Sequence, residues 1–171
     1  DDVIVMKKDE IDPKFGNLWK KGAGTKLTVA EAIDYALIES DNTAANMLAS
    51  VVPTTTIDNV FDSLDIPTNK DGEVAVITPK AYSSIFRSLY LSSYLKQDSS
   101  NEILDILTKT DFYDQLPAGI PSSVKVSHKV GIFNSASNTK KGYSDCGIVY
   151  VPQRPYLLCI MTTTNEEETK K

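Results

Sequence analysis

Apolar side chains in the first half of the chain recur at the three- and four-residue spacing of helices. The clearest start lies at Thr28 to Glu31, where the Thr28 hydroxyl and the Glu31 carboxylate can satisfy each other's backbone donors as a capping box. The helix that follows is expected to end near Glu39, and a second is expected from Thr43 to Val52, before a proline. A third should begin around Thr56. The pattern therefore predicts three short helices in succession.

The next segment predicts a loop and then two further helices. Asp65 to Ile77 contains proline, asparagine and glycine without an apolar period, so a long loop is expected there. Thr78 and Pro79 supply an N-cap and a first-turn proline for the helix after it. A second capping box, from Ser99 to Glu102, is expected to start the last of these helices.

After Gly119 the pattern changes from helical to extended. Val124 to Ile132 has the β-branched content of a strand, and Asp145 to Val151 and Tyr156 to Thr163 are expected to pair around a turn. Helices followed by strands predict an α+β fold in one domain, with helices at about 27–110 and strands at about 118–165. Asn165 and the three glutamates after it are typical of a further helix N-terminus.

The two cysteines, Cys146 and Cys159, lie on either side of the predicted turn. They are either strand neighbours or two separate buried thiols. The thiol interpretation is favoured, because free cysteine behaves as a small apolar side chain and one pair in a chain of 171 residues is no disulfide framework.

Composition excludes some classes of function. The formal net charge is −5 and the pI is about 4.9, so no basic face for nucleic acid is indicated. The longest apolar runs are far shorter than a membrane span, which needs about 20 residues. The N-terminus lacks the basic and apolar regions of a secretory signal.

Two short motifs carry the candidate chemistry, and each has an ordinary structural explanation when taken alone. Ser40-Asp41-Asn42 lies between two predicted helices, where such residues commonly form turns and N-caps. His128 and Lys129 lie in a predicted strand, where a histidine usually has a structural partner and a lysine usually extends to solvent. Neither motif alone indicates catalysis.

Together the motifs resemble the second and third motifs of serine penicillin-recognising enzymes, in order and in rough spacing. The surrounding sequence agrees. Leu27 to Glu31, leading through Glu39 to Asn46, is similar to the helix, motif and helix of class A β-lactamases. Thr78-Pro79 with Leu89-Tyr90, and Gly147 to Tyr150 with Pro155 to Leu157, resemble the later helix and the last hairpin of that family. The similarity extends along nearly the whole chain.

The resemblance implies a β-lactamase/transpeptidase-like fold and assigns roles to individual residues. Ser40 matches the hydroxyl that passes a proton to the leaving nitrogen, and Asn42 matches the amide that holds the substrate's side-chain amide. Lys129 matches the strand lysine that supports this proton transfer and attracts the substrate carboxylate. His128, Val130 and Gly131 are assigned to substrate binding along the strand. No cofactor and no metal are expected.

The sequence also departs from the family pattern. No Ser-x-x-Lys, the motif that supplies the nucleophile, precedes Ser40, and only the first turn of a final helix is present. The chain is therefore expected to be incomplete at both ends and inactive in this form. Val130 replaces a threonine or serine whose hydroxyl meets the substrate carboxylate. Glu73 is the only glutamate of the 65–77 loop, and it lies too close to Thr78 to match the deacylating glutamate.

These observations predict a serine acyl-transfer domain that acts on β-lactams or on D-Ala-D-Ala-like cell-wall peptides. The family implies an extracytoplasmic location. The alternative is a non-catalytic binding or scaffold module of the same fold, and a third hypothesis is an unrelated α+β domain with chance motifs. An incomplete sheet would be covered by a complementing chain or by a second copy.

Overall fold

The computed structural model describes residues 2–67, 77–134 and 140–165. Contacts divide the chain into two compact units. Unit 1 comprises Asp1–Ser63 with Lys109–Asp111, and unit 2 comprises Leu64–Thr108 with Phe112–Lys171. The elements are helices followed by an antiparallel sheet, so the α+β prediction is confirmed. Residues 68–76, including Glu73, and the predicted helix start after Asn165 lie outside the described residues.

Unit 1 contains a small β-ribbon and three helices. Its elements are β1 (Val3–Val5), β2 (Lys26–Thr28), α1 (Val29–Ile38), α2 (Asn42–Val51) and α3 (Thr54–Ser63). The three predicted helices are confirmed, and each boundary that was predicted lies within two residues of the observed one. The ribbon was missed: β1 pairs antiparallel with β2 and places Ile4 opposite Leu27.

The start of α1 confirms the predicted capping box. Glu31 N–H donates to the Thr28 hydroxyl at 3.1 Å, and Thr28 N–H donates to the Glu31 carboxylate at 2.7 Å. The hydrogen bonds from the backbone and side chain of Thr28 hold the pKa of Glu31 below its usual value. The β-ribbon and the first two helices then bury a shared core of Ile4, Met6, Leu18, Leu27, Ala32, Ala44 and Met47. Because α1 and α2 both pack on this core, it sets the direction of the turn that joins them.

Unit 2 contains two helices and the main sheet. Its elements are α4 (Pro79–Leu91), α5 (Gln97–Ile106), β3 (Val126–Asn134), β4 (Lys140–Val149) and β5 (Tyr156–Asn165). The N-cap of α4 is confirmed, since Ala81 N–H donates to the Thr78 hydroxyl at 3.1 Å. The start predicted for α5 is wrong: the helix begins at Gln97, and Ser100 lies inside it, fully buried.

The sheet has the order β3-β4-β5, with both pairs antiparallel. Helix α4 packs against β4 and β5, and the buried Ser127 hydroxyl of β3 donates to the Leu104 carbonyl of α5 at 2.7 Å. On the sheet, Leu116, Val126 and Val149 form a second buried cluster. Strand β4 begins five residues earlier than predicted. Its first half is polar, but it is held in the sheet by backbone pairing with β3 on one side and β5 on the other.

The favoured interpretation of the cysteines was wrong. The register places Cys146 of β4 directly opposite Cys159 of β5, with the two Cα atoms 4.0 Å apart, and the sulfurs are bonded. The expected burial is found for Cys146, which has no exposed surface, whereas Cys159 is only partly buried. The bond fixes the register of the β4–β5 hairpin, and a slip of one residue would exchange the two faces of the strand.

Candidate functional site

Ser40 lies in a strained turn between α1 and α2. Its φ is +55°, in the left-handed region that non-glycine residues rarely enter, at a cost of about 1–2 kcal/mol. Strained residues of this kind persist only where the surrounding structure holds them in place, and they are concentrated at functional positions. The predicted position of the Ser-Asp-Asn motif between two helices is confirmed.

Asp41 holds this turn in place. It is fully buried and is the N-cap of α2, where one carboxylate oxygen accepts from Ala44 N–H at 2.9 Å. The other oxygen accepts from Leu18 N–H at 2.8 Å. Its own N–H donates to the Tyr35 carbonyl near the end of α1. Asp41 therefore ties both helices and the 12–18 segment together immediately beside Ser40.

Asn42, the first residue of α2, is held by the same segment. Its N–H donates to the Phe15 carbonyl at 3.2 Å, and its side-chain Nδ2 donates to the Asp12 carboxylate at 3.2 Å. Thr43, which is fully buried, accepts from Asp12 N–H at 3.0 Å and donates to the Asp12 carbonyl at 3.2 Å. The candidate substrate-binding amide is thus fixed from the backbone and from the side chain.

The 12–18 segment was missed as part of the site. Gly16 shows how closely it approaches, since a Cβ built there would collide with the Asp41 carboxylate, and its φ of +80° also favours glycine. The sequence signal was present in Asp12-Pro13 and Gly16, which are typical of a turn. Nothing in that local pattern reveals a contact with residues thirty positions away.

Lys129 lies on β3 opposite Cys146, and its Nζ donates to the Val130 carbonyl at 3.1 Å. Burial disfavours the charged form and lowers the pKa of Lys129 to about 8, although the charge of Asp145 acts in the opposite direction. A lysine with a pKa near 8 is largely cationic at neutral pH, and it can still exchange its proton readily. This is the charge state that its predicted role requires.

The lowered pKa of Lys129 predicts a pH dependence of stability. The folded chain loses this proton near pH 8 and the unfolded chain keeps it to about pH 10.5, so the unfolded state binds more protons in between and stability rises with pH. We expect the free energy of unfolding to increase by up to about 2 kcal/mol between about pH 8 and pH 10. Urea titrations of the wild type and of Lys129→Met measure it. The same increase in Lys129→Met would contradict the assignment.

His128 is buried beside Lys129 and bonds to Asp145 of β4. Its Nδ1 lies 2.9 and 3.0 Å from the two carboxylate oxygens, and one of these oxygens also accepts from Leu116 N–H at 2.8 Å. Only 1% of the His128 surface is exposed. Asp145 is therefore the structural partner that the sequence analysis gave as the ordinary explanation for a histidine in a strand. Its assignment to substrate binding stays a prediction, and this placement does not add support to it.

The remaining strand residues differ in their accessibility. Val130 faces inward with 6% of its surface exposed and pairs with Asp145. Gly131 is only partly buried and pairs with Ser144, whose hydroxyl donates to the Gly131 carbonyl at 3.2 Å. A Cβ at Gly131 would lie 2.6 Å from that hydroxyl oxygen, so a larger residue here would require the Ser144 side chain to rotate and give up this hydrogen bond. Substrate contacts at both positions stay predictions.

The structure groups the candidate residues by unit. Ser40 and Asn42 lie in one turn of unit 1, whereas Lys129 and its strand neighbours lie in unit 2. The convergence of these two groups on one cleft stays a prediction. Across the described ranges, no cluster of three His, Cys, Asp or Glu side chains is suited to holding a metal. None of the described helices is long and apolar enough to cross a membrane.

Comparison with known sequences gives one family. A model described as the beta-lactamase enzyme family matches residues 1–171. A curated β-lactamase from Amycolatopsis lactamdurans is 27% identical over 187 aligned residues, which cover 100% of this chain and 60% of that protein. The chain therefore spans about three fifths of the length of this relative.

Solved structures agree on the fold. A β-lactamase from Sphaerobacter thermophilus superposes with a TM-score of 0.79 at 23% identity, covering 96% of this chain and 65% of that one. PBP-A gives a TM-score of 0.77 at 21% identity, covering 96% and 63%. A PBP-A mutant solved as an acyl-enzyme complex with penicillin G gives the same values. These likenesses show a β-lactamase/transpeptidase-like fold, of which this chain covers about two thirds.

Proposed function

Because the chain belongs to the β-lactamase enzyme family, we propose that it forms part of a serine acyl-transfer site for β-lactams or D-Ala-D-Ala-like cell-wall peptides. The observation that carries the proposal is the strained Ser40 turn. Ser40 has a φ of +55° and directly precedes the fully buried Asp41, so the turn that carries its hydroxyl is held in one conformation. The acyl-enzyme of the PBP-A mutant with penicillin G supports the substrate class.

The chemistry follows from the side chains present. Ser40 passes a proton to the leaving nitrogen as the amide bond of the substrate opens, and the cationic Lys129 stabilises the hydroxyl during this transfer. Lys129 also attracts the substrate carboxylate. Asn42 binds the amide of the substrate side chain, and the backbone at Gly131 lies along the bound substrate. Val130 supplies no hydroxyl, so carboxylate binding depends on Lys129 to a greater degree.

Ser40 is assigned to proton transfer rather than to nucleophilic attack. A serine hydroxyl is a weak nucleophile unless a base lies beside it, and the residue one turn after Ser40 is Thr43 rather than lysine. Three later segments fit Ser-x-x-Lys by pattern, beginning at Ser93, Ser122 and Ser137. All three follow the second motif, so we propose that the nucleophile belongs to a segment outside residues 1–171.

A non-catalytic member of the family is the second candidate. The observation that favours it is the inward-facing Val130, whose side chain packs in the sheet and offers nothing polar to a substrate carboxylate. In that case the Ser40 turn and β3 would bind a β-lactam or a cell-wall peptide without turnover. For either function we propose an extracytoplasmic location, where such substrates are found.

The proposal predicts a covalent adduct. After incubation of the whole gene product with penicillin G, intact-mass spectrometry should show one penicilloyl group per chain, mapped to a serine outside residues 1–171. Residues 1–171 alone should show none. An adduct on Ser40, Ser93, Ser122 or Ser137 would contradict the assignment of the nucleophile. Binding of penicillin G without any adduct would favour the non-catalytic candidate.

The same samples test the proposed partner. In the described part of the chain β5 pairs only with β4, and Tyr156, Leu157 and Ile160 on β5 are exposed apolar side chains. An unprotected edge of this kind favours pairing with another strand, so we propose that a complementing chain or a second copy covers it. Light scattering that finds residues 1–171 monomeric at high concentration would count against this.

A further inference from the structure

Asp12 is an acidic side chain that contacts the Ser-Asp-Asn motif from outside it. Its carboxylate accepts from Lys14 N–H at 2.8 Å with one oxygen and from Asn42 Nδ2 at 3.2 Å with the other. Its own N–H and carbonyl are both bonded to the Thr43 hydroxyl. Asp12 is therefore fixed at four points, and its direction relative to Asn42 is set.

This contact determines how the Asn42 amide is oriented. A carboxylate only accepts hydrogen bonds, so the Nδ2 edge of Asn42 must face Asp12 and the carbonyl oxygen must face the opposite way. One Nδ2 hydrogen is used by Asp12. The other Nδ2 hydrogen is then available to donate to the carbonyl oxygen of a substrate's side-chain amide.

We propose that Asp12 is a positioning residue that sets the orientation of Asn42 and thereby makes the site selective for substrates that carry an acylamino side chain. The inference rests on the proposed function. It concerns selectivity rather than the chemical step, since Asp12 acts through Asn42. Without Asp12 the Nδ2 edge of Asn42 loses the contact that orients it, and with it the pre-organisation that a well-aligned hydrogen bond to the substrate requires.

Two substrates with the same ring system distinguish an effect on substrate selectivity from an effect on folding. Penicillin G carries an acylamino side chain, and 6-aminopenicillanic acid carries an amine in its place. In the whole gene product, Asp12→Ala should lower the second-order acylation rate for penicillin G about 10-fold, because a charge-assisted contact is lost. The rate for 6-aminopenicillanic acid should change less than about 2-fold.

Matched variants exclude a purely structural effect. Thr43→Val removes two of the four contacts that fix Asp12, so it should lower the rate for penicillin G in the same direction as Asp12→Ala and change the rate for 6-aminopenicillanic acid less than about 2-fold. Asp34→Ala removes an exposed aspartate from α1 and should change neither rate. Equal losses for both substrates in Asp12→Ala would overturn the inference, because they would show that Asp12 only supports the fold.

A second measurement does not depend on activity. In NMR spectra of the wild type the two Nδ2 protons of Asn42, assigned by their disappearance in Asn42→Ala, should be well separated, since one is bonded to a carboxylate. Asp12→Ala should reduce this separation. If neither substrate acylates the wild type, the proposed function fails, and these resonances decide the inference: unchanged Asn42 signals in Asp12→Ala overturn it, and a reduced separation supports it.

Discussion

Replacing Ser40 by alanine is expected to lower the rate of acylation by penicillin G by a factor of about 10²–10⁴ in the whole gene product, because the leaving nitrogen then has no positioned proton donor. Stopped-flow measurement of acylation under single-turnover conditions reports this step directly. This substitution removes the hydroxyl without disturbing the fold, since alanine is close to serine in volume and keeps the same strained backbone conformation.

Two controls isolate the hydroxyl. Ser40→Gly also removes the hydroxyl, so it should acylate as slowly as Ser40→Ala. Because glycine tolerates a φ of +55°, Ser40→Gly should be more stable than Ser40→Ala by about 1 kcal/mol. Ser63→Ala removes an exposed hydroxyl from α3 and should acylate at the wild-type rate. A Ser40→Ala rate within a few-fold of the wild type would mean that Ser40 transfers no proton.

Asp41→Ala is expected to destabilise the protein by about 2–4 kcal/mol, because it removes the N-cap of α2 and leaves a buried N–H unsatisfied, at about 1–2 kcal/mol each. The carboxylate has no exposed surface, and its loss leaves Leu18 N–H and Ala44 N–H without their acceptor. Urea denaturation of the wild type and the variant measures the difference. A loss below about 1 kcal/mol would mean that water replaces the carboxylate.

A double-mutant cycle with Gly16 localises this effect. Gly16→Ala in the wild type places a methyl group against the Asp41 carboxylate, and it also strains a backbone whose φ is +80°. In the Asp41→Gly background both the carboxylate and the Asp41 Cβ are removed, so the collision is relieved and only the strain remains. The cost of Gly16→Ala should therefore be smaller there, by about 1 kcal/mol or more. Additive costs would show that the 12–18 segment does not press on Asp41.

Local signals in the sequence predicted most of the helices. The Thr28 capping box and the Thr78-Pro79 start depend on residues within one turn of each other, and both are found where expected. The Ser99 to Glu102 box failed because it is in competition with burial: Ser100 enters the interior, and the helix begins earlier at Gln97. The β-ribbon failed because two strands of three residues pair across more than twenty positions, and neither has a pattern of its own.

The candidate site shows the same difference between local and long-range signals in the sequence. Ser40 and Asn42 could be proposed from the sequence because a motif of three consecutive residues defines them, and Lys129 because it lies in a strand with a recognisable sequence. Asp12 was missed because its role arises from contacts with residues thirty positions later. The Cys146–Cys159 bond was missed for a related reason, since strand register decides it and the spacing of the cysteines does not.

The glycine opposite His128 has a consequence for how this domain can vary. A side chain at Gly147 would press on the Ser127 carbonyl and lie 2.6 Å from the His128 Cβ, so it would push the imidazole away from Asp145. A library at position 147 should therefore retain glycine whatever residue stands at position 128, because the Ser127 carbonyl and the His128 Cα are backbone atoms that no substitution removes. This glycine keeps β4 close to β3 directly opposite His128, one residue from Lys129.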